Sequence, residues 1–179
     1  MPNKLIDLQQ LTAPTEPVDA ELVKLWSKID FNADDSIIDI LIPAAREILE
    51  RASGLSFALR KFQVEFFHDG EHPFELPYQP FVSEVQVEFR PCKLTEWATI
   101  TGDGSYEYEG SQFKQLYGEK GIYRIQYFAG YATGYNALPY QLQQAMCQQV
   151  AYMYYHRASA DVDPIAMQSI KGLKRTSWL

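Results

Sequence analysis

The feature that most constrains this chain is a stretch without Asp, Glu, Lys or Arg that covers residues 125–156. Charged residues make up 22% of the chain as a whole. The stretch is predicted to begin as a strand, because Tyr123, Ile125 and Tyr127 alternate with other residues. It then enters a helix at Leu138-Pro139, since proline fits the first helical turn, where its missing N–H would have no partner. The many glutamines in this helix exclude a membrane span.

The predicted helix covers residues 138–158, and its apolar side chains recur at the spacing of one helical face. They are Leu142, Ala145, Met146, Val150 and Met153. The other positions hold glutamine and tyrosine, where a solvated helix usually carries charges. Two interpretations stay open. The helix packs against other copies of the protein through its polar face, or it is a central helix covered on all sides within one chain. The first predicts a subunit interface at Gln141, Gln144, Gln148, Tyr152 and Tyr155.

Length and charge restrict the class of protein. A chain of 179 residues fits a single domain, 1–179, with a sizeable core. The net charge of -7 argues against a protein that grips nucleic acid, although not against one that stands close to DNA. Cys92 and Cys147 are isolated, which is typical of free thiols in a reducing cytoplasm. The first residues lack the apolar core of a signal peptide.

Two helices are predicted in residues 18–54, after an arm of little structure in residues 1–17. Asp19 is expected to cap the first helix, and Asn32 the second, which Gly54 ends in a left-handed conformation. The predicted buried stripes are Leu22, Leu25, Trp26 and Ile29 in the first helix and Ile38, Leu41, Ala45, Leu49 and Ala52 in the second. Pro43 predicts a kink in the second helix.

Residues 58–129 are predicted to form a small antiparallel sheet. Two alternating patterns indicate its half-buried strands, with tight turns at residues 69–70 and 102–104. The patterns are Phe62, Val64 and Phe66, and then Val85, Val87 and Phe89. The predicted fold class is therefore α+β: a mostly helical bundle, with two N-terminal helices and a long C-terminal helix, into which a small sheet is inserted. Residues 159–179 form a tail.

No catalytic, cofactor or metal site is predicted. His68, Asp69, Glu71 and His72 are possible metal ligands, but they are expected in a solvated turn at a hairpin tip. His156 and Cys147 lie nine residues apart, about 180° around a helix, which excludes a dyad within one helix. Tyrosines near the sheet leave a second function class open, a sugar-binding or tail-associated β module. They are Tyr106, Tyr108, Tyr117, Tyr123, Tyr127, Tyr131 and Tyr135.

Three tracts resemble a known family when they are taken in order. The first runs from Asp34-Asp35-Ser36 to Ser53-Gly54, and the second is Leu76-Pro77-Tyr-Gln-Pro80. The third joins Tyr127-Phe-Ala-Gly-Tyr131 to Leu138-Pro139 and a helix that reaches Arg157. Together they are similar to the head–tail connector (adaptor) proteins of tailed bacteriophages, over about residues 19–158.

The resemblance implies a structural virion protein, located in the neck after assembly in the host cytoplasm, with no enzymatic activity. Such a protein forms a homo-oligomeric ring, a dodecamer being the expected size, beneath the portal protein. The ring extends the channel for double-stranded DNA without binding it specifically, and it presents a platform to a tail or stopper protein. No contact with a membrane is expected. An acidic chain would let DNA pass without sticking, because it repels the phosphates.

The C-terminal tail is predicted to contact the portal. It carries basic residues followed by apolar ones in a chain that is otherwise acidic, and Trp and Arg are frequent interface anchors. The predicted portal-binding residues are Lys171, Lys174, Arg175, Trp178 and Leu179. A Trp178 that folds back onto its own domain is the alternative.

Overall fold

The structure, a computed structural model, describes residues 2–101, 106–110, 113–131, 138–156 and 161–175, and the side chains of these as far as residue 171. The predicted turn at residues 102–104 lies outside the described residues. The chain divides into two compact units. The sheet unit consists of Met1–Pro14 and Leu59–Gly130, and the helical unit consists of Thr15–Ala58 and Tyr131–Leu179. The assignment of the whole chain to one domain stays a prediction.

The sheet unit contains two antiparallel sheets. Five strands form the larger one in the spatial order β1-β2-β8-β4-β5, and three form the smaller one in the order β3-β7-β6. In chain order they are β1 (Lys4–Gln10), β2 (Arg60–His68), β3 (Phe74–Glu75), β4 (Phe81–Arg90), β5 (Ala98–Ile100), β6 (Tyr106–Glu109), β7 (Gln115–Gly118) and β8 (Gly121–Ala129). β1 replaces part of the expected N-terminal arm: it pairs with β2 along the edge of the larger sheet.

One face of the larger sheet forms the core of this unit. Phe62, Val64 and Phe66 alternate inward along β2, as predicted, and lie against inward side chains of β8. The smaller sheet adds Leu76 and Leu116 to the same buried cluster. Alternation places charged residues on the other face of β2 and β8, where they form ion pairs. The core therefore lies on one face of the larger sheet.

The predicted alternation is wrong at Val85, which is 48% exposed. Two irregularities in the pairing of β4 with β8 explain this, one of them between Glu84 and Gln86. Each irregularity displaces one residue and moves the following side chains to the other face. Val87, beyond the second irregularity, is buried as predicted.

The helical unit contains α1 (Ala20–Ser27), α2 (Asp35–Ser53), α3 (Tyr140–Tyr155) and α4 (Pro164–Arg175). Asp19 caps α1, since its Oδ1 accepts the N–H of Leu22 at 2.8 Å. Gly54 ends α2 with a φ of 70°, where its N–H donates to Glu50 O. Both caps confirm the sequence prediction, whereas the predicted cap at Asn32 is wrong, because Asp34 is the N-cap residue of α2. The first is an interaction within four residues, which a sequence specifies locally.

The predicted fold class is wrong in its balance of elements. The described residues form four short helices and eight strands in two antiparallel sheets, so the chain is β-rich and not a helical bundle with a small insertion. The C-terminal helix is also shorter than the predicted 138–158, because α3 begins at Tyr140 and ends at Tyr155. The strand predicted at the start of the uncharged tract is the end of β8, so the error lies in the small extent that was predicted for the sheets.

Candidate functional site

Helix α3 is the central element of the helical unit, since it packs against α1, α2 and α4. It starts directly after Pro139, whose carbonyl accepts the N–H groups of Leu142 and Gln143 at 2.8 and 3.1 Å. At the other end, the N–H of His156 donates to Tyr152 O at 2.9 Å. The imidazole of His156 stacks on Tyr152 with ring centroids 4.6 Å apart. The ends of α3 are therefore fixed by backbone hydrogen bonds and by the contact between Tyr152 and His156.

One side of α3 is fully buried and includes a glutamine. Gln149 has no exposed surface, and its side-chain amide forms hydrogen bonds with backbone groups of the segment that leads into α4. Its Nε2 donates to Asp161 O at 2.9 Å, and its Oε1 accepts the N–H of Asp163 at 2.8 Å. A buried amide with both ends bonded costs little, whereas an unpaired charge there would be expensive. Burial within the chain therefore explains why this side of α3 carries no charged residue. The buried residues of α3 are Leu142, Ala145, Met146, Cys147, Gln149 and Val150.

The opposite side of α3 carries the five residues that the sequence assigned to a subunit interface. We call them the glutamine–tyrosine face: Gln141, Gln144, Gln148, Tyr152 and Tyr155. Gln141 and Gln144 are exposed, Tyr155 is 63% exposed, and the other two are half-buried. The face is solvated in the single chain and contains no charge, so burial does not explain its composition. The interpretation that α3 is covered on all sides does not hold for this face.

Sequence reasoning missed two exposed features of the helical unit. Tyr140, at the first position of α3, is 86% exposed. In α1, the predicted buried stripe is rotated, because Val23 is buried whereas Leu25 and Trp26 are 79% and 46% exposed. A helix with apolar residues on two sides fits either rotation, so periodicity alone could not choose between them.

A buried ion cluster holds α2 in place. Arg46 is only 3% exposed and its guanidinium lies 3.0 Å from Glu16 Oε2 and 2.9 Å from Glu50 Oε2. Burial alone would lower the pKa of Arg46, but its hydrogen bond to Glu16 and the charge of Glu50 outweigh burial and raise that pKa. The second oxygen of Glu50 accepts the N–H of Phe57 at 2.7 Å. The cluster therefore ties the segments before and after α2 to this helix.

The possible metal ligands at residues 68–72 do not form a cluster. Among the described residues, no group of three or more His, Cys, Asp or Glu side chains could hold a metal ion. Asp69 closes the turn by accepting the N–H groups of His72 and Glu71, which hold the pKa of its carboxyl well below the usual range. His72 is exposed, as expected for a solvated turn. His68, by contrast, belongs to the core.

His68 is 1% exposed and neutral. The N–H of Gly70 donates to its Nδ1 at 3.0 Å, so the ring proton is on Nε2, 3.3 Å from Leu116 O. Burial lowers the pKa of His68, against smaller opposing effects of Leu116 O and Asp69.

We expect the stability of the sheet unit to fall below about pH 6.5, the ordinary pKa of histidine. The unfolded chain binds a proton there, whereas folded His68 does not, so each pH unit costs about 1 kcal/mol until the folded pKa is reached. Urea unfolding at pH 7.5 and 5.5 measures this loss, with His68→Asn as the comparison and His72→Asn as the exposed control. An equal loss in the His68→Asn protein would contradict this assignment.

Among the described tyrosines near the sheet, three are buried and cannot be part of an exposed stacking platform. Tyr123, Tyr127 and Tyr106 are at most 6% exposed, as part of the core. Burial raises the pKa of Tyr123 to about 12, and the hydroxyl of Tyr127 donates to Pro77 O. Tyr117 is exposed, and Tyr135 lies outside the described residues. Tyr108 and Tyr131 are half-buried, so most of the predicted sugar-binding surface is not open to solvent.

The predicted portal-binding residues are mostly beyond what the structure describes. Lys171, in α4, is exposed. Lys174 and Arg175 lie within α4 as well, but their side chains, together with Trp178 and Leu179, fall outside the described part of the chain. Within the described residues, no helix is long and apolar enough to cross a membrane.

Comparison with known proteins identifies the fold. No protein family and no curated protein matches the sequence significantly. Solved structures do match. A chain from the virion of a native gene transfer agent (GTA) particle is similar at a TM-score of 0.72 and 18% identity, over 93% of this chain and 94% of that one. A chain from the neck of an empty GTA particle, computed with C6 symmetry, has a TM-score of 0.70 and 16% identity over the same shares.

A third chain, from the neck of a native GTA particle computed with C12 symmetry, has a TM-score of 0.63 and 16% identity over 92% of both chains. The class that these likenesses define is one of fold, and the likeness covers nearly the full length of each chain.

Proposed function

We propose that this protein is a structural subunit of the neck of a phage-like particle. The observation that carries the proposal is the likeness of fold, over more than nine tenths of each chain, to chains from GTA necks. A likeness limited to one of the two units would also be compatible with a protein of unrelated function that shares this unit. The ordered motifs at residues 34–54, 76–80 and 127–157, which resemble phage connector proteins, support the same role independently. In this role the protein has no catalytic activity.

The subunits form a homo-oligomeric ring beneath the capsid portal, and the glutamine–tyrosine face of α3 lies in the contact between neighbours. Gln141, Gln144 and Tyr155 are exposed without any ion that must lose its hydration when the surface is covered. Tyrosine is enriched in interfaces because it buries a large area and keeps a hydroxyl for hydrogen bonding. These two properties support a surface that is covered in the assembly.

The ring extends the DNA channel and joins the head to a tail or stopper protein. The net charge of -7 supports passage of DNA without specific binding, since an acidic surface repels phosphates. Residues 171–179, with Lys171, Lys174, Arg175, Trp178 and Leu179, are the proposed contact with the portal protein. Basic groups followed by a tryptophan give this segment the composition of an interface anchor.

A negative charge on the glutamine–tyrosine face should prevent ring formation. Gln144→Glu and Gln148→Glu each place an unpaired carboxylate in the contact, and desolvating it costs several kcal/mol. We expect both variants to melt within about 2 °C of the parent, because these positions are solvated or half-solvated in the single chain. Mass photometry, of the chain alone and mixed with purified portal rings, should show rings for the parent and single chains for the variants.

Gln168→Glu is the matched control, since Gln168 is an exposed helical residue of α4 outside this face. It should assemble like the parent. Normal rings from both Gln144→Glu and Gln148→Glu would exclude this face from the contact. A parent protein that forms no ring, alone or on the portal, would overturn the proposed function itself.

A further inference from the structure

A second apolar surface lies on α1, α2 and the turn between them. Five large apolar side chains within 16 residues of sequence are exposed there, and we call them the α1–α2 apolar surface: Leu25, Trp26, Phe31, Ile37 and Ile40. Leu25 and Ile40 are the most open, with exposures of 79% and 70%. A soluble chain rarely leaves so many large apolar groups in water without a partner. None of them belongs to the core of the helical unit.

The position of Ile40 on α2 shows which way this surface faces. Ile38, Ile42 and Leu49 are buried, and α2 uses that side to pack against α3. At 3.6 residues per turn, Ile40 is about 160° from Ile38 and Ile42, and about 180° from Leu49. It therefore lies on the side of α2 that faces away from α3.

Helix α3 is also divided into a buried side and an exposed side. Leu142 and Met146 are buried on the side that packs against its neighbours in the unit. Gln144 is about 160° from both of them around the helix and is exposed. The glutamine–tyrosine face and the outer side of α2 are thus two different exposed surfaces of the helical unit. A closed ring of identical subunits needs such a pair of different faces, because each copy contacts one neighbour in front and one behind.

We propose that the α1–α2 apolar surface receives the glutamine–tyrosine face of the neighbouring copy, so that these two surfaces are the two halves of one head-to-tail contact. This inference rests on the proposed ring and names both sides of its repeated interface. The occupant of the α1–α2 apolar surface is a second copy of this chain, and no further protein is required to cover it.

The electrostatics of both surfaces fit this pairing. The nearest cation on α1, Lys24, already has its own partners: its Nζ lies 2.7 Å from Asp35 Oδ1 and 2.6 Å from Asn32 Oδ1. The incoming face of α3 contains only amides and phenols. The exposed ions of the same stretch, Lys28, Asp30 and Asp39, would meet amides and phenols, which bring no like charge towards them.

The available area is also sufficient. Aromatic side chains bury about 150–250 Å² each when they are fully covered. Trp26 and Phe31 are each about half exposed, and three aliphatic side chains accompany them. The surface thus offers roughly several hundred Å², a large share of the ~800 Å² that each partner contributes to a stable interface.

Charge substitutions test the surface directly. In Leu25→Glu and Ile40→Glu, a carboxylate replaces an exposed apolar group, so the single chain should melt like the parent or slightly higher. Ring formation on the portal should weaken at least tenfold, measured by mass photometry over a concentration series. Leu94→Glu is the matched control, because Leu94 is 97% exposed in the sheet unit, and it should assemble normally. Normal assembly of both Leu25→Glu and Ile40→Glu would overturn the inference.

Cross-linking then tests the pairing. Two single-cysteine variants, Ile40→Cys and Gln144→Cys, are prepared in a Cys92→Ser background, one with a mass tag, and mixed before ring assembly. Cys147 can stay, since burial raises the pKa of its thiol to about 11 and leaves it 1% exposed. A short bismaleimide should join position 40 of one copy to position 144 of the next. Each variant assembled alone should give no linked pair.

The outcomes separate this inference from the proposed function. Rings in which Gln144→Glu blocks assembly, but in which no 40–144 link forms, would overturn the pairing and leave the proposed function intact. Links between two copies of position 144 would indicate a two-fold contact and would also overturn it. Absence of rings from the parent protein would overturn both.

Discussion

Glu50→Ala is expected to lower the free energy of unfolding by about 3–5 kcal/mol, the range for removing one partner of a buried ion pair. Arg46 would keep its charge in a site that leaves it only 3% exposed, with Glu16 as the main remaining carboxylate. The N–H of Phe57 would lose its acceptor at the same time. Urea unfolding, followed by circular dichroism, measures the loss.

Two comparisons make this result specific. Glu47→Ala removes a carboxylate that is 62% exposed and 3.9 Å from Arg46, and it should cost less than about 1 kcal/mol. The double variant Arg46→Met with Glu50→Leu replaces the pair by apolar groups and should be more stable than Glu50→Ala alone. A cost below 1 kcal/mol for Glu50→Ala would show that water, and not Glu50, solvates Arg46.

Gly121→Ala is expected to cost about 3 kcal/mol. Gly121 begins β8 directly beside β4, and an added Cβ would lie 2.3 Å from Cε2 of Phe89 and 2.9 Å from Arg90 O. The Phe89 ring is held by Tyr123, with centroids 4.9 Å apart, and Arg90 O belongs to the backbone of the paired strand. Either the ring or the strand must move, and overpacking of this kind usually costs 1–3 kcal/mol or more.

A double-mutant cycle separates these two causes. Phe89→Leu removes the ring edge, so Gly121→Ala should cost at least 1 kcal/mol less in that background if the ring is the obstacle. An unchanged cost would assign the clash to Arg90 O and the backbone of β4. A Gly121→Ala protein as stable as the parent would show that the ring turns aside freely, contrary to its packing on Tyr123.

Sequence predicted best those features that depend on a few neighbouring residues. The caps at Asp19 and Gly54, and the inward alternation of Phe62, Val64 and Phe66, are confirmed. The edge strand β1 was missed because it pairs with a segment more than 50 residues away, and its own composition gives no clear alternation. The exposure of Val85 depends on strand irregularities that its local pattern does not encode.

The residues of the candidate site were also predicted only in part. The absence of charge on α3 identified Gln141, Gln144 and Tyr155, and the structure places all three on its exposed side. Sequence could not show that Gln149 serves the interior, since its partners are backbone groups near residues 161–163. The α1–α2 apolar surface was hidden for a related reason: Leu25 and Trp26 had been assigned to a buried stripe.

The path of the chain through its two units has a consequence for synthesis on the ribosome. The sheet unit, from Leu59 to Gly130, is made after α2 and before α3. At 5–20 residues per second, this interval lasts roughly 4–14 s. During that time α2 has no α3 to cover Ile38 and Leu49, while Ile40 on its other side is apolar as well. A nascent α2 therefore exposes apolar residues on both of its sides. Two incomplete chains at this stage can associate through α2 unless α3 has left the ribosome and covers one side.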